Sequence, residues 1–412
     1  MKCRNALRTW QTLPLVALLL VSTPKFGVAA VSADAPAATG WKNGPDTDPH
    51  FFPIAVWLQD PKNAARYREL GINTYVALWQ GPTQSQIDLL KQHGMKLICE
   101  QSDKSLKFID EKLLIAWMHG DEPDNAQSLG DGKGYGPPVP AENIVADYRR
   151  IRQRDPSRPV ILNLGQGVAW DGWYGRGMRT NHPEDYAKYL DGCDIASFDI
   201  YPAVHFRPEI AGKLWYVAYG VNRLVKWTNH KKPIWNCIEC TRISNPDVKP
   251  TPEQVKAEVW MAIIHGSRGL IYFCHQFEPK FIEAGLLADE DMSRAVKAVN
   301  AQVLELAPVI NSDPVGQPVE IHCEPPKASD QLEKTLGGLP VALMARRHGG
   351  ACYLFTVAME DRAARAEFTI PGLKGEHPVE VIGEGRSITS KDGRFSDDYS
   401  PCAVHLYRVR DR

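Results

Sequence analysis

Short runs of apolar, β-branched and aromatic residues alternate along the first three quarters of the chain with longer amphipathic segments, whose apolar positions recur every three to four residues. The short runs are FFPIAVWL (51–58), NTYVALW (73–79), KLICEQ (96–101), LLIAWMHG (113–120), PVILNLG (159–165), IASFDIYP (195–202), PIWNCIECT (233–241) and GLIYFCHQF (269–277). Between them lie helical patterns such as PKNAARYRELG (61–71), QSQIDLLKQHG (84–94), AENIVADYRRIRQRD (141–155) and TPEQVKAEVWMAIIHG (251–266), several ending at a glycine suited to a helix C-terminus. Eight β-α units over about 230 residues predict a (β/α)8 TIM barrel in the α/β class. The competing fold, an open doubly wound sheet, would place a G-x-G-x-x-G loop after a strand, and none occurs.

Beyond LAPVI (306–310) the helical pattern stops. Strand-like runs follow at 318–324, 339–350, 351–360, 366–370, 378–385 and 402–409, separated by turn residues. They predict a small C-terminal all-β sandwich over 311–412, after a catalytic barrel over 49–310. Its expected role is to brace the barrel.

Composition narrows the class. The 412-residue chain is 43% hydrophobic and 24% charged, as a folded globular protein is. Its 48 basic and 49 acidic residues nearly cancel, so no global field draws it to nucleic acid or an anionic membrane, and a neutral or weakly charged partner is expected. Lys2, Arg4 and Arg8 precede the apolar run LPLVALLLV (13–21), and small residues at Val28 and Ala30 suit cleavage. Residues 1–30 therefore read as a signal peptide and 31–48 as a flexible lead-in, which implies a secreted or periplasmic protein. The apolar run is about half the roughly 20 residues a spanning helix needs, so no membrane span is expected. Eight cysteines follow Cys3; Cys99, Cys193, Cys237, Cys274 and Cys352 lie in or beside apolar runs and are expected to be buried thiols. Cys237 and Cys240 have zinc-site spacing, but on a strand residues three apart point to opposite faces.

In a barrel of this kind chemistry gathers at the carboxyl ends of the strands. Those ends carry Glu100-Gln101, Asp121-Glu122, Asn163, Asp199-Ile200-Tyr201, Glu239 and His275-Gln276. Trp235, Cys237 and Glu239 share one face of the seventh strand, so an inward Glu239 would crown the barrel interior. With GDEPD closing strand four and CIECT closing strand seven, the chain resembles clan A of the glycoside hydrolases, retaining enzymes on a (β/α)8 barrel. The resemblance covers roughly 50–305. It implies that Glu122 is the acid/base, Glu239 the nucleophile and Tyr201 of FDIYP a hydrogen-bond support for the nucleophile. The chain departs from the clan pattern at Asp121, where asparagine is usual, and at His275-Gln276-Phe277, where many members have a tryptophan floor.

Retaining hydrolysis requires two carboxyls about 5–5.5 Å apart, one protonated and one ionised. Mutual repulsion and partial burial would keep Glu122 an acid. Sugar rings also need aromatic walls. Trp79, Trp170, Trp173 and Tyr174 are candidates for these, with Glu100, Asp121, Asn163, Asp199, His275 and Gln276 as further substrate contacts and the insert 128–140 as a subsite wall. The expected partner is a carbohydrate, with no cofactor and no metal. Two rivals stand beside this reading. One is a non-catalytic polysaccharide-binding protein on the same barrel. The other is a metal-dependent hydrolase using His119, Asp121 and His275, although its usual strand-one H-x-H is missing.

Overall fold

The structure, a computed structural model, describes Val28–Ala29 and residues 40–410. The apolar run read as a signal peptide and residues 31–39 of the lead-in lie outside the described residues. Among those described, no helix is long and apolar enough to cross a membrane.

Eight parallel strands close into a barrel: β1 (Ile54–Trp57), β2 (Thr74–Val76), β3 (Lys96–Glu100), β4 (Leu114–Met118), β5 (Val160–Leu164), β6 (Ile195–Phe198), β7 (Ile234–Glu239) and β8 (Ser267–Phe273). Each pairs with the next, and β8 returns to β1 with Leu270 opposite Ile54. The outer layer comprises α1 (Ala64–Glu69), α2 (Gln84–Gln92), α3 (Ala141–Arg154), α4 (Tyr186–Tyr189), α5 (Trp215–Trp227), α6 (Pro252–Ile264), α7 (Gly285–Ala288) and α8 (Glu290–Ile310). Local sequence sets several of their starts. Thr83 with Gln86, and Thr251 with Gln254, form reciprocal capping boxes, and Pro252 takes the first-turn position where a missing N–H costs nothing. The regular alternation lapses twice. Between β3 and β4 the crossover is a single 3-10 turn, Ser105–Phe108, and after β5 the glycine-rich stretch 165–185 forms 3-10 turns before the four-residue α4.

Ala55, Trp57, Val76, Ile98, Ala116, Met118, Ile161, Trp235, Cys237 and Ile271 fill the barrel interior. Trp235 fits because Gly269 faces it: a Cβ there would meet the indole at 2.4 Å. Cys237 belongs to this inner cluster and Cys240 to the outer one, as strand alternation predicts. The expected burial of Cys99, Cys193, Cys237, Cys274 and Cys352 as free thiols is observed.

The C-terminal strands are β9 (Glu320–Glu324), β10 (Val341–His348), β11 (Ala351–Ala358), β12 (Ala364–Thr369), β13 (Glu376–Val381), β14 (Arg386–Lys391), β15 (Arg394–Tyr399) and β16 (Val404–Arg410). The antiparallel order is Val28–Ala29, β9, β12, β15, β14, β13, β16, β11, β10. β14 and β15 are joined at only one register pair, Lys391 with Arg394, and the ladder turns there into two packed layers. Phe368 and Phe395 of one layer meet Tyr407 of the other at ring distances of 5.6 and 5.1 Å. Alternate residues face the opposite way. Met344, Phe355, Val357 and Leu406 join the barrel's outer core, where the Phe355 ring stacks on Trp260 of α6 at 5.4 Å.

Candidate active site

The site begins with the turn that ends β4. Leu114–Met118 is buried throughout; immediately after it Glu122 adopts φ 41°, a left-handed conformation unusual for a side-chain-bearing residue. Asp124, fully buried, holds that turn. Its Oδ1 accepts from the Gly165 backbone N–H at 2.9 Å and its Oδ2 from the Tyr186 hydroxyl at 2.8 Å, tying the end of β4 to the loop after β5. Gly165 lets these side chains lie close, because a Cβ would come 2.9 Å from Glu122 Oε1 and 2.8 Å from Asn125 Nδ2 and would displace them. The Trp173 indole N–H donates to Asn125 Oδ1 at 2.9 Å and fixes the other side of the turn.

Held this way, the Glu122 carboxyl lies beside Asp199, just beyond β6, near enough that each carboxyl acts on the ionisation of the other. Burial, then the charge of Asp199, pushes Glu122 well above the usual carboxylate range. Burial raises Asp199 to about 7, opposed by hydrogen bonds from Glu122 and the Tyr201 hydroxyl. Glu122 thus holds its proton the more tightly of the two, and Asp199 is the member that ionises first. Asp121 sits beside them with an exposed edge, accepts from Asn163 Nδ2 at 2.9 Å and is raised to about 6, chiefly by desolvation. Asn163 is oriented in turn by Ser197, whose hydroxyl donates to its Oδ1 at 2.8 Å. Cys237 is the strand-seven side chain that reaches this cluster; burial and the charge of Asp199 keep its thiol protonated. Glu100 borders the cluster at an exposed position, and its charge contributes to raising Asp121.

Glu239 is elsewhere, a correction to its expected place opposite Glu122. Its carboxylate is fully buried and accepts from the backbone N–H groups of Ala203 at 2.6 Å and Val204 at 3.0 Å. Its carboxyl neighbour is Glu258 of α6, in the outer layer. The reason is supply: the chain after Tyr201 folds across the end of β7 and offers two fixed donors that a buried carboxylate needs. Burial raises Glu239 to about 7 and Glu258 well above its usual range, so this pair also holds a proton. Tyr201 accordingly supports Asp199 and not Glu239.

The remaining candidates divide. Trp170 and Trp173 line the strand-five side, with ring centroids 6.0 Å apart. Trp79 stands 70% exposed after β2. His275 is buried, with Nε2 3.3 Å from Gln59 Nε2 and its ring stacked near Phe277 and Phe281. Gln276 turns into a short hairpin, pairing with Ile282 and donating to the Lys280 carbonyl at 3.4 Å, away from the carboxylates. The metal triad does not assemble: His119 Nε2 lies 2.7 Å from the Gly192 carbonyl, apart from Asp121 and His275. No group of three or more His, Cys, Asp or Glu disposed to hold a metal occurs among the described residues. A cavity of about 230 Å³ lined by Trp41, Phe51, Trp235 and Arg268 lies away from the carboxylates, among residues around the starts of the strands.

Asp124, Gly165 and Glu258 were not singled out from sequence. Asp124 stands within the conspicuous GDEPD stretch, but nothing local marks it as an anchor for a glycine forty-one residues later.

No protein-family profile matches the sequence, and no curated protein sequence does. Solved structures match in fold. The α-amylase from Geobacillus thermoleovorans, complexed with acarbose, aligns over 90% of this chain and 99% of its own, with 9% identity and a TM-score of 0.52. A putative α-galactosidase from Bacteroides fragilis aligns over 87% of this chain and 79% of its own, with 9% identity and a TM-score of 0.50. At these identities the likeness is one of architecture: the barrel followed by an antiparallel β domain.

Proposed function

We propose that the protein is a secreted glycoside hydrolase in which Glu122 is the general acid/base and Asp199 the ionised carboxylate that faces it. The observation that carries this reading is the placing of Glu122, half-buried, beside the buried Asp199 at the carboxyl ends of β4 and β6, two carboxyls of unequal proton affinity at the barrel mouth. A sugar ring entering the mouth would part the two carboxyls. Glu122 would protonate the departing glycosidic oxygen while Asp199, its charge supported by the Tyr201 hydroxyl, attacks the anomeric carbon. Glu122 would then deprotonate the water that releases the sugar. The two carboxyls act on each other's ionisation, and a retaining pair stands closer, about 5–5.5 Å, than an inverting pair, about 6.5–9.5 Å, so the retaining course is the one proposed. The architecture shared with carbohydrate-active neighbours supports the substrate class.

The test is Glu122→Ala on activated aryl glycosides. Azide should restore turnover and give a glycosyl azide of unchanged anomeric configuration. Inverted azide product, or no rescue with any donor the wild type accepts, would sink this assignment. A non-catalytic glycan-binding protein is the second reading, favoured by one observation: the strand-seven side chain facing the pair is the Cys237 thiol, not a carboxylate. Glycan binding without hydrolysis across a broad panel would decide for it.

A further inference from the structure

Beside Glu122 the loops after β5 and β6 build a continuous wall. Trp173, which fixes Asn125 in the Glu122 turn, contacts Tyr174 at a ring distance of 4.6 Å. His205 locks the facing loop. Its Nδ1 accepts the Arg207 backbone N–H at 3.0 Å, so its Nε2 carries the proton and donates to Gln166 Oε1 at 3.1 Å. The Phe206 ring lies on His205 at 5.3 Å, nearly parallel. The Arg207 guanidinium carbon then sits 4.9 Å from the Tyr174 ring and 5.6 Å from the Phe206 ring. Both rings remain open, Tyr174 46% and Phe206 53% exposed.

Most charges of this wall are matched; Arg207 and Glu209 are without an ion pair among the described residues. Asp171 pairs with Arg223 at 2.6 Å, Asp185 with Arg176 at 2.8 Å and Arg179 at 2.5 Å, and Glu184 with His182 at 2.7 Å. Arg207 has no ion pair among the described residues; Glu209, two positions on, does not form one with it. A guanidinium held face-on by aromatic rings keeps its N–H edge free, and that edge matches a carboxylate in bidentate geometry. The exposed parts of the Tyr174 and Phe206 rings leave apolar surface beside that edge for a sugar's C–H groups.

We propose that the Tyr174–Phe206–Arg207 wall is a subsite for a sugar ring bearing a carboxylate, adjacent to the ring whose linkage Glu122 protonates. This rests on the glycosidase reading of the mouth and adds the substrate class: uronate-containing glycan. With a net charge of −1 the protein exerts little long-range pull on a polyanion, so selection must come from this contact.

The test compares binding of oligosaccharides from polygalacturonate, alginate and glucuronoxylan with the same chains after reduction of their carboxyls to alcohols, using the full-length Glu122→Gln protein. At least one uronate chain should bind about tenfold or more tighter than its reduced form. Arg207→Gln should erase the difference, and Arg207→Lys, which keeps charge without the planar fork, should restore only part of it. Equal affinity for both forms, no binding to any uronate chain, a preference that survives Arg207→Gln, or equally tight binding of sulfated chains lacking carboxyls would each overturn the proposal. Activity of the wild type separates the two readings. Glu122-dependent cleavage of glycans with no acid preference would leave the hydrolase and remove the subsite. Arg207-dependent uronate binding with no cleavage would do the reverse.

Discussion

The barrel holds two carboxyl pairs that resemble each other electrostatically and differ in everything around them. Glu122 and Asp199 lie at the mouth, next to the exposed edge of Asp121; one sits on a left-handed backbone, and their neighbours are side chains that can reorient. Glu239 and Glu258 are sealed between the end of β7 and α6, with two backbone N–H groups fixed on Glu239. Burial raises the proton affinity of both pairs, so a raised pKa alone separates neither from the other. Access and the kind of donor do. A backbone donor pair holds a carboxylate in place, whereas a pair open to the mouth has a charge and a proton that substrate can reach.

The widest separation should appear in turnover. Asp199→Asn should lower kcat by about 10³-fold or more, because the amide can neither attack nor carry charge, while Glu239→Gln should stay within about tenfold of wild type. Rates on one aryl glycoside, with circular dichroism to show both variants folded, decide it. If Glu239→Gln is dead and Asp199→Asn active, the assignment of the two pairs is reversed.

Gly165→Ala sharpens the same contrast from one side. The added methyl meets the ends of two flexible side chains, Asn125 and Glu122 Oε1, so the fold should yield cheaply while the acid is displaced. A shift of this kind is expected to cost about 10–100-fold in kcat with KM nearly unchanged. The same change at Gly316, where a Cβ meets nothing within 4 Å and the backbone, as at Gly165, is not left-handed, serves as control. Loss of activity equal in both variants would show that Gly165 does not position Glu122.

Much of this molecule was legible beforehand, and the limits are physical. The eight barrel strands were readable because strands wrapped by helices carry dense apolar runs, and the chemistry-bearing residues were found at their ends because the fold puts them there. Period-two alternation correctly set Trp235 and Cys237 inside. It could not foresee that the chain at Ala203 and Val204 would fold over β7 and draw Glu239 to its N–H groups. Asp199 was visible in FDIYP but ranked as a substrate contact, since only the three-dimensional turn held by Asp124 brings Glu122 to it. The GDEPD motif announces a carboxylate; the long-range hydrogen bond from Gly165 to Asp124 aims it.

A pH titration of activity probes the mouth pair as a unit. Activity requires the pair to hold one proton, so kcat/KM should rise as pH approaches about 7, where Asp199 ionises, and fall at higher pH as Glu122 loses its proton. Replacing Asp121 by Asn removes a negative charge that raises Glu122, so the falling limb should move to lower pH. An alkaline limb that stays in place would show that Asp121 does not act on the proton donor.

The smallest effect belongs to the sealed pair and appears in stability. A carboxyl whose folded pKa is raised binds its proton more tightly folded than unfolded, so its contribution is complete below the unfolded value and is lost as pH rises through the folded one. For Glu239 the window runs from the ordinary glutamate value of 4.5 up to about 7. Unfolding free energy of the wild type should therefore decline across it, by about 3 kcal/mol from this group. Glu258→Gln removes the second titrating carboxyl and supplies an amide N–H that can donate to Glu239, letting that group ionise without repulsion. The variant's stability should hold nearly level from pH 5 to pH 8 and exceed the wild type's at the upper end, as measured by urea unfolding at each pH. The mouth pair titrates in the same range, so the measurement is made on Asp199→Asn and on Asp199→Asn/Glu258→Gln, which differ only in the sealed pair. If the two curves run parallel, Glu258 carries no shared proton, and the sealed pair is held by the backbone donors of Ala203 and Val204 alone.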